Sequence, residues 1–247
     1  MSIQDALGEE KKALYRDEYI VEQDEMGDNA THDLLIRYLV RVLEWLYRVE
    51  QWMIGVNRNL YHEALDNSQK LIVPDIAVFK GIYVSPEDQP YISSWDMRKG
   101  DKKAPPLVIE ISSENTYPGD IELDKKPRLY GLVGVREYFA YDPNRPRVWP
   151  RRYNTRLLGC RYSEDGIPQA IVPDERGRLW SEVLESWLVP DGRYLRLYDR
   201  EGNLRLTEAE EESKARQEES KARRAAEQQV AELQRQLEEL RRQMGKE

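Results

Sequence analysis

Cysteine occurs once in the 247 residues, at Cys160, and histidine only twice, at His32 and His62. A single thiol excludes an internal disulfide and a multi-cysteine metal site. Two histidines exclude a His-rich zinc centre. Such thiol poverty fits a reducing compartment, so a cytoplasmic location is expected. No apolar run approaches the roughly 18 residues of a membrane span, and no membrane association is expected. The opening stretch, MSIQDALGEEKKALYRDEY, lacks the apolar core of a signal peptide. Walker A, G-x-G-x-x-G and G-x-S-x-G patterns are missing. Nucleotide-cofactor chemistry is therefore unsupported, and Ser112-Ser113 is no serine-hydrolase elbow. Cys160 has no sequence neighbour to activate it and reads as an ordinary buried thiol.

Positive charge is also in deficit. There are 38 basic and 46 acidic residues, a formal net charge of −8. This argues against coating nucleic acid by bulk charge, but leaves room for a local nucleic-acid site. Charged residues make up 34% of the chain, above the usual quarter. The surplus is concentrated in residues 208–247, which hold 11 acids and 9 bases. Ala, Glu, Gln, Arg and Lys dominate there, all strong helix formers. Val230, Leu233, Leu237, Leu240 and Met244 recur in alternating steps of three and four, an a/d seam about two heptads long. The tail reads as a coiled-coil-like helix that joins copies of the chain, or as a solvated helix held by i,i+4 charge pairs. The expected organisation is a domain over 1–205, a tail over 206–247, and a homo-oligomer assembled through the C-terminal helix.

Within the body, Thr31 is a candidate cap for a helix over 31–49, where Leu35, Leu39, Val42, Leu43 and Leu46 form an apolar stripe. Residues 50–65 read as a strand with irregular flanks. LIVPDIAVF (71–79) reads as a strand, with Pro74 marking an edge or an irregular start. Residues 81–106 read as a long connection. LVIEIS (107–112) is a strongly apolar strand, a helix is expected over 121–133, and REYFAYD (136–142) alternates as a strand. Short strands follow around 147–162, 168–173, 178–184 and 193–199, between turn signals such as Asp165-Gly166 and Arg176-Gly177. The fold class is α/β, or α+β.

Two acids break the rule that buried strands are apolar: Asp75 in LIVPDIAVF and Glu110 in LVIEIS. Burying an unpaired carboxylate costs several kcal/mol or shifts its pKa, so each needs a base, a set of N–H donors or a metal. By alternation Glu110 shares a face with Val108 and Ser112. If the two strands are neighbours, Asp75 and Glu110 converge on one cation, and Mg²⁺ suits a few carboxylates plus water. For either acid alone, the plain reading is a salt bridge or a carboxylate at a strand end.

Pro74-Asp75, the Glu110-Ile111-Ser112 strand, Lys126-Pro127-Arg128-Leu129-Tyr130, Gly134-Val135-Arg136-Glu137-Tyr138 and Tyr141-Asp142-Pro143 together resemble the Uma2 family. These restriction-endonuclease-like proteins, abundant in cyanobacteria, have the PD-(D/E)XK nuclease core. The resemblance covers roughly residues 15–195. It implies a mixed sheet flanked by helices and an Mg²⁺-dependent (or Mn²⁺-dependent) endonuclease centre acting on nucleic acid, with DNA the expected substrate. Asp75 matches the PD aspartate and Glu110 the acid of (D/E)XK. That motif's lysine position is occupied by Ser112. Uma2-like sequences place the lysine on the following helix, where Lys126 matches and Lys125 is the alternative. Asp75, Glu110 and the Ile111 carbonyl are the implied metal ligands, and Asp75, Glu110 and Lys126 the implied catalytic residues.

Other residues have two readings each. His32 is a helper at the site or a helix-start residue. His62 is near the site or exposed, and Glu63 is a possible third carboxylate. Arg98, Lys99, Lys102 and Lys103, and a second group of Arg145, Arg147, Arg151 and Arg152 with Trp149 and Tyr153, are DNA contacts or solvated loops. For the whole chain, the competitors to an endonuclease are a catalytically inactive nuclease-fold interaction module and a structural protein with salt-bridged acids.

Overall fold

The computed structural model describes residues 30–50, 52–65, 71–82, 84–85, 87–100 and 102–244. It divides into two units, Met1–Arg205 and Leu206–Glu247. The first is built on a six-stranded mixed sheet in the order β1-β3-β5-β6-β7-β8, with β1 at Met53–Val56, β3 at Ile76–Phe79 and β5 at Leu107–Ile111, followed by β6 at Glu137–Tyr141, β7 at Leu157–Tyr162 and β8 at Pro168–Ala170. Only β5 and β6 run parallel among these neighbours. A parallel pair needs a crossover, and here it holds two short helices, α2 (Tyr117–Ile121) and α3 (Lys126–Leu132).

Each face of this sheet has its own core. On one, α1 (Ala30–Leu46) lays Leu35, Leu39, Val42 and Leu43 against Ile54, Ile76, Val78, Ile109 and Ile111. Fully burying such a side chain is worth about 1.5–3 kcal/mol. The same face receives a three-stranded antiparallel sheet, β11-β10-β9, made of Leu179–Ser181 (β9), Ser186–Asp191 (β10) and Tyr194–Tyr198 (β11). Leu179, Leu188, Leu195 and Leu197 enter the shared core. On the other face, α2 and α3 contribute Ile121 and Tyr130. A parallel pair, β2 (Asn59–Tyr61) with β4 (Ser94–Asp96), adds Leu60 and Trp95.

Two polar or close-packed fastenings hold the outer elements to this sheet. Glu137, at the start of β6, is buried and accepts hydrogen bonds from Ser181 Oγ, from the Glu182 N–H at 2.8 Å, from the Val183 N–H at 3.2 Å and from Arg161 Nε at 3.0 Å. It locks the β9 corner to the main sheet. Second, α3 rests on the β7–β8 hairpin. Tyr162 donates its hydroxyl to the Pro127 carbonyl. A Cβ at Gly131 would stand 2.1 Å from the Gly166 carbonyl oxygen, so the backbones meet where no side chain fits. Gly166 also has φ +70°, a conformation glycine adopts without penalty.

Several expectations change. Thr31 lies inside α1, which begins at Ala30, and the helix stops at Leu46 rather than 49. Residues 50–65 hold two strands, not one. β3 begins after Pro74 and lies between β1 and β5, so the proline marks an irregular start and not an edge. The long connection at 81–106 contains β4 and a 3₁₀ turn at Gln89–Tyr91. The helix expected over 121–133 is two helices, separated at Glu122–Lys125. β10 was absent from the expected strands. It pairs with both β9 and β11.

The second unit is one helix, α4 (Glu208–Met244). Thr207 Oγ1 accepts from the Glu210 N–H at 3.2 Å, while Glu210 Oε2 accepts from the Thr207 N–H at 2.9 Å, a capping box. Arg216–Glu212 and Arg223–Glu227 pairs one turn apart line its surface, and Val230, Leu233 and Leu237 are exposed. Among the described residues, no helix is long and apolar enough to cross a membrane.

Candidate active site

Two neighbouring strands create the site. β3 and β5 pair antiparallel with Ile76 opposite Ile109, and Asp75 is the residue immediately before β3. Glu110 lies on the α2–α3 side of the sheet, where Tyr130 and Lys126 meet it. Asp75 Oδ2 accepts the Ile111 N–H at 2.6 Å. His32 Nε2, from the first turn of α1, lies 3.4 Å from the same oxygen. Burial pulls the His32 imidazole down, but the hydrogen bond and charge of Asp75, with Asp33 and Glu110 beyond, hold it above its ordinary value.

Glu110 is 2% exposed. Tyr130 donates its hydroxyl to Oε1, and Lys126 Nζ stands 3.4 Å from Oε2. Burial raises the Glu110 carboxyl well above the usual glutamate value, and the charges of Asp75 and Asp120 add to the rise. Lys126 and Tyr130 oppose it. Burial outweighs these two partners, and a further cation beside Glu110 would favour its charged form. Lys126 and Tyr130 reach it together because positions i and i+4 lie on one side of a helix.

Asp120, for which the sequence raised no expectation, is the third acid of this group. It is fully buried at 0% exposure. Its Oδ2 accepts from Ser112 Oγ at 2.7 Å and Thr116 Oγ1 at 2.9 Å. Among the described residues its Oδ1 accepts no hydrogen bond, and it lies 3.1 Å from Lys126 Nζ. The available signal was Thr116-x-x-x-Asp120, a one-turn pair, but a helix starting at 121 hid it. Asn144 was missed as well. Its side-chain amide donates to the Ser112 carbonyl at 2.8 Å and is itself fixed by Asp142.

The remaining candidates separate. Lys125 is exposed and pairs with Glu122 at 2.8 Å, so of the two lysines it is Lys126 that meets Glu110. His62 turns into its own loop, where its Nδ1 accepts the Ala64 N–H at 3.0 Å. Glu63 is exposed. Cys160 is buried, and burial pushes its thiol up to about 11, which leaves it inert. Arg98 grips Asp96 with two nitrogens, at 2.8 and 3.0 Å, and Lys99 lies 3.3 Å from the same carboxylate. Lys102 lies over the Trp95 ring, while Lys103 is exposed. Arg147 spends its guanidinium on the carbonyls of Trp149, Pro150 and Tyr153, and Trp149 is 1% exposed. The second basic group is thus partly internal structure. Arg145, Arg151 and Arg152 are its exposed members.

Asp75 and Glu110 offer hard oxygen ligands of the kind Mg²⁺ and Mn²⁺ accept. Among the described residues, no group of three or more His, Cys, Asp or Glu side chains is arranged to hold a metal. Two carboxylates suffice for Mg²⁺, which keeps several waters. The under-compensated Glu110 is where a cation would relieve most charge.

A family model described as "Uma2: Putative restriction endonuclease" matches residues 3–158. Among solved structures, the chain is similar to one described as a putative nuclease belonging to DUF820 from Anabaena variabilis ATCC 29413. The identity is 16% and the TM-score 0.37, over 66% of this chain and 73% of that one. No curated protein matches it.

Proposed function

Because the chain belongs to the Uma2 family, we propose that it is a divalent-metal-dependent endonuclease hydrolysing phosphodiester bonds of DNA. Asp75, Glu110 and the Ile111 carbonyl would hold Mg²⁺ or Mn²⁺. Such an ion, when bound, polarises a phosphate oxygen and acidifies water. The Ile111 N–H and His32 fix the Asp75 carboxylate. Tyr130 fixes that of Glu110. Lys126 supplies a positive charge for the attacked phosphate or for the attacking water. The observation that carries the reading is the placement of two acids at neighbouring strands: Asp75 just before β3, its Oδ2 accepting the Ile111 N–H of β5 at 2.6 Å, and Glu110 on β5 with Lys126 Nζ 3.4 Å away. The test is nicking of supercoiled plasmid with Mg²⁺ or Mn²⁺. Asp75→Ala and Glu110→Ala are each expected to abolish it, and retained cleavage in either variant would reject the assignment.

One observation favours a second reading. Lys126 already stands between Glu110 and Asp120, so the acids are partly neutralised from within. On that reading the nuclease fold is an inactive interaction module. Calorimetric titration with Mn²⁺ separates the two. Binding that disappears in Asp75→Ala supports the nuclease, and no binding by the unaltered protein supports the module.

DNA is proposed to meet Lys102, Lys103, Arg151 and Arg152, and its binding is expected to fall steeply with salt. Assembly is proposed through the Val230, Leu233 and Leu237 seam of α4. Leu233→Asp is expected to lower the mass measured by sedimentation equilibrium.

A further inference from the structure

Lys126 is almost buried, and among the described residues two carboxylates lie within reach of its ammonium. The nearer is Asp120, at 3.1 Å against 3.4 Å for Glu110. Asp120 is also the better anchored. Ser112 Oγ and Thr116 Oγ1 both donate to its Oδ2, and Tyr138 donates to its backbone carbonyl at 2.8 Å. With Oδ2 occupied, Oδ1 is left buried and, among the described residues, without a hydrogen-bond donor; it meets Lys126 Nζ as an ion pair at 3.1 Å, while the ammonium donates its hydrogen bond to Glu110 Oε2 at 3.4 Å. Ser112 is the residue standing where the general nuclease motif has its lysine. In this chain its hydroxyl organises the acid that holds a lysine arriving from another helix.

We propose that Asp120 is the positioning residue for Lys126, holding the ammonium at the site independently of Glu110. The consequence is a division of labour between the two acids. If Glu110 were the lysine's sole partner, a divalent cation and Lys126 would compete for one carboxylate. With Asp120 as the anchor, Glu110 can turn its charge to a cation while Lys126 stays within reach of the same phosphate. The inference deepens the metal-dependent reading and rests on it for that consequence. The anchoring itself is independent of metal.

The experiment therefore has two readouts on the full-length protein. In the first, without metal, the ¹H–¹⁵N resonance of the Lys126 ammonium is observed at low temperature. Such signals persist only where burial and pairing slow proton exchange. It is expected to survive Glu110→Gln and to vanish in Asp120→Asn. Survival in Asp120→Asn, or loss in Glu110→Gln, would overturn the proposal. Asparagine can still accept from Ser112 and Thr116, so the local network is retained. If Asp120→Asn fails to fold, Ser112→Ala takes its place and should broaden the same resonance. An unchanged resonance in that variant would overturn the proposal.

The second readout is Mn²⁺ affinity by calorimetry in a double-mutant cycle. Asp120→Asn is expected to weaken binding about tenfold, the size of an ordinary close-pair coupling. In a Lys126→Met background, with the competing ammonium gone, the same change should cost less than about twofold. Equal weakening in both backgrounds would make Asp120 a ligand or a mere charge and would overturn the proposal. Failure of the unaltered protein to bind Mn²⁺ would strike the metal-dependent reading and the proposed division of labour, while the ammonium resonance would still decide the anchoring.

Discussion

Two buried glutamates on adjacent strands of one sheet have opposite surroundings. Glu137 opens β6 opposite Leu107, and Glu110 lies near the end of β5 opposite Ala140. Both are 2% exposed. Glu137 receives two backbone N–H groups, a serine hydroxyl and an arginine. Glu110 receives a tyrosine hydroxyl and a lysine it shares, and two further acids lie close enough to raise its pKa. The first acid has a full complement of donors and joins two sheets. The second is short of donors and beside like charges. A buried acid whose donors are complete is mortar. One left short is available for chemistry.

Exchanging the roles tests this contrast. The largest effect is expected from Glu110→Gln. Metal-dependent plasmid nicking should fall by on the order of 10³-fold, while the midpoint of urea unfolding moves by no more than about 1 kcal/mol equivalent. Next comes Glu137→Ala, which takes the acceptor from the buried Val183 N–H and Ser181 hydroxyl. It should cost about 3 kcal/mol in the same urea measurement, with nicking per folded molecule unchanged. Mn²⁺ at a hundredfold its Kd should stabilise the unaltered protein by about 2.7 kcal/mol. A thermal-shift assay should show that gain kept in Glu137→Gln and lost in Glu110→Gln. The smallest effect is that of Ser181→Ala, about 1 kcal/mol for one hydrogen bond at the lock. Nicking that survives Glu110→Gln but fails in Glu137→Ala would invert the comparison.

The candidate site was legible in the sequence where a local rule was broken. Asp75 and Glu110 are charges within apolar strands, and the cost of burying them marks them without any structure. Their adjacency is a matter of strand order, which one sequence leaves open and the β3–β5 register supplies. Lys126 was singled out from the Lys125-Lys126 pair through the family resemblance, because a lysine at a helix start is commonplace by itself. Asp120 escaped because one long helix was expected where two short ones meet, and its partners Ser112 and Thr116 look like ordinary loop residues. Arg147 illustrates a different limit. An arginine beside tryptophan and tyrosine reads as a nucleic-acid contact, and only its three carbonyl partners show that it points inward.

The fold was legible in its central strands and first helix, where apolar residues follow one period. Short pieces escaped. β4 is three residues long inside a segment rich in Pro, Gly and charge. β10 ends in Pro190-Asp191-Gly192, whose turn chemistry masked the strand before it.

The seat of α3 on the β7–β8 hairpin bears on where this protein can be cut. The region matched by the family model ends at residue 158, yet Tyr162 and Gly166, on which α3 rests, lie beyond it. A fragment trimmed to the matched region would retain Asp75, Glu110 and Lys126 but lose the bearing that fixes the helix carrying the lysine. Sequence likeness therefore marks a shorter stretch than the one that seats this helix.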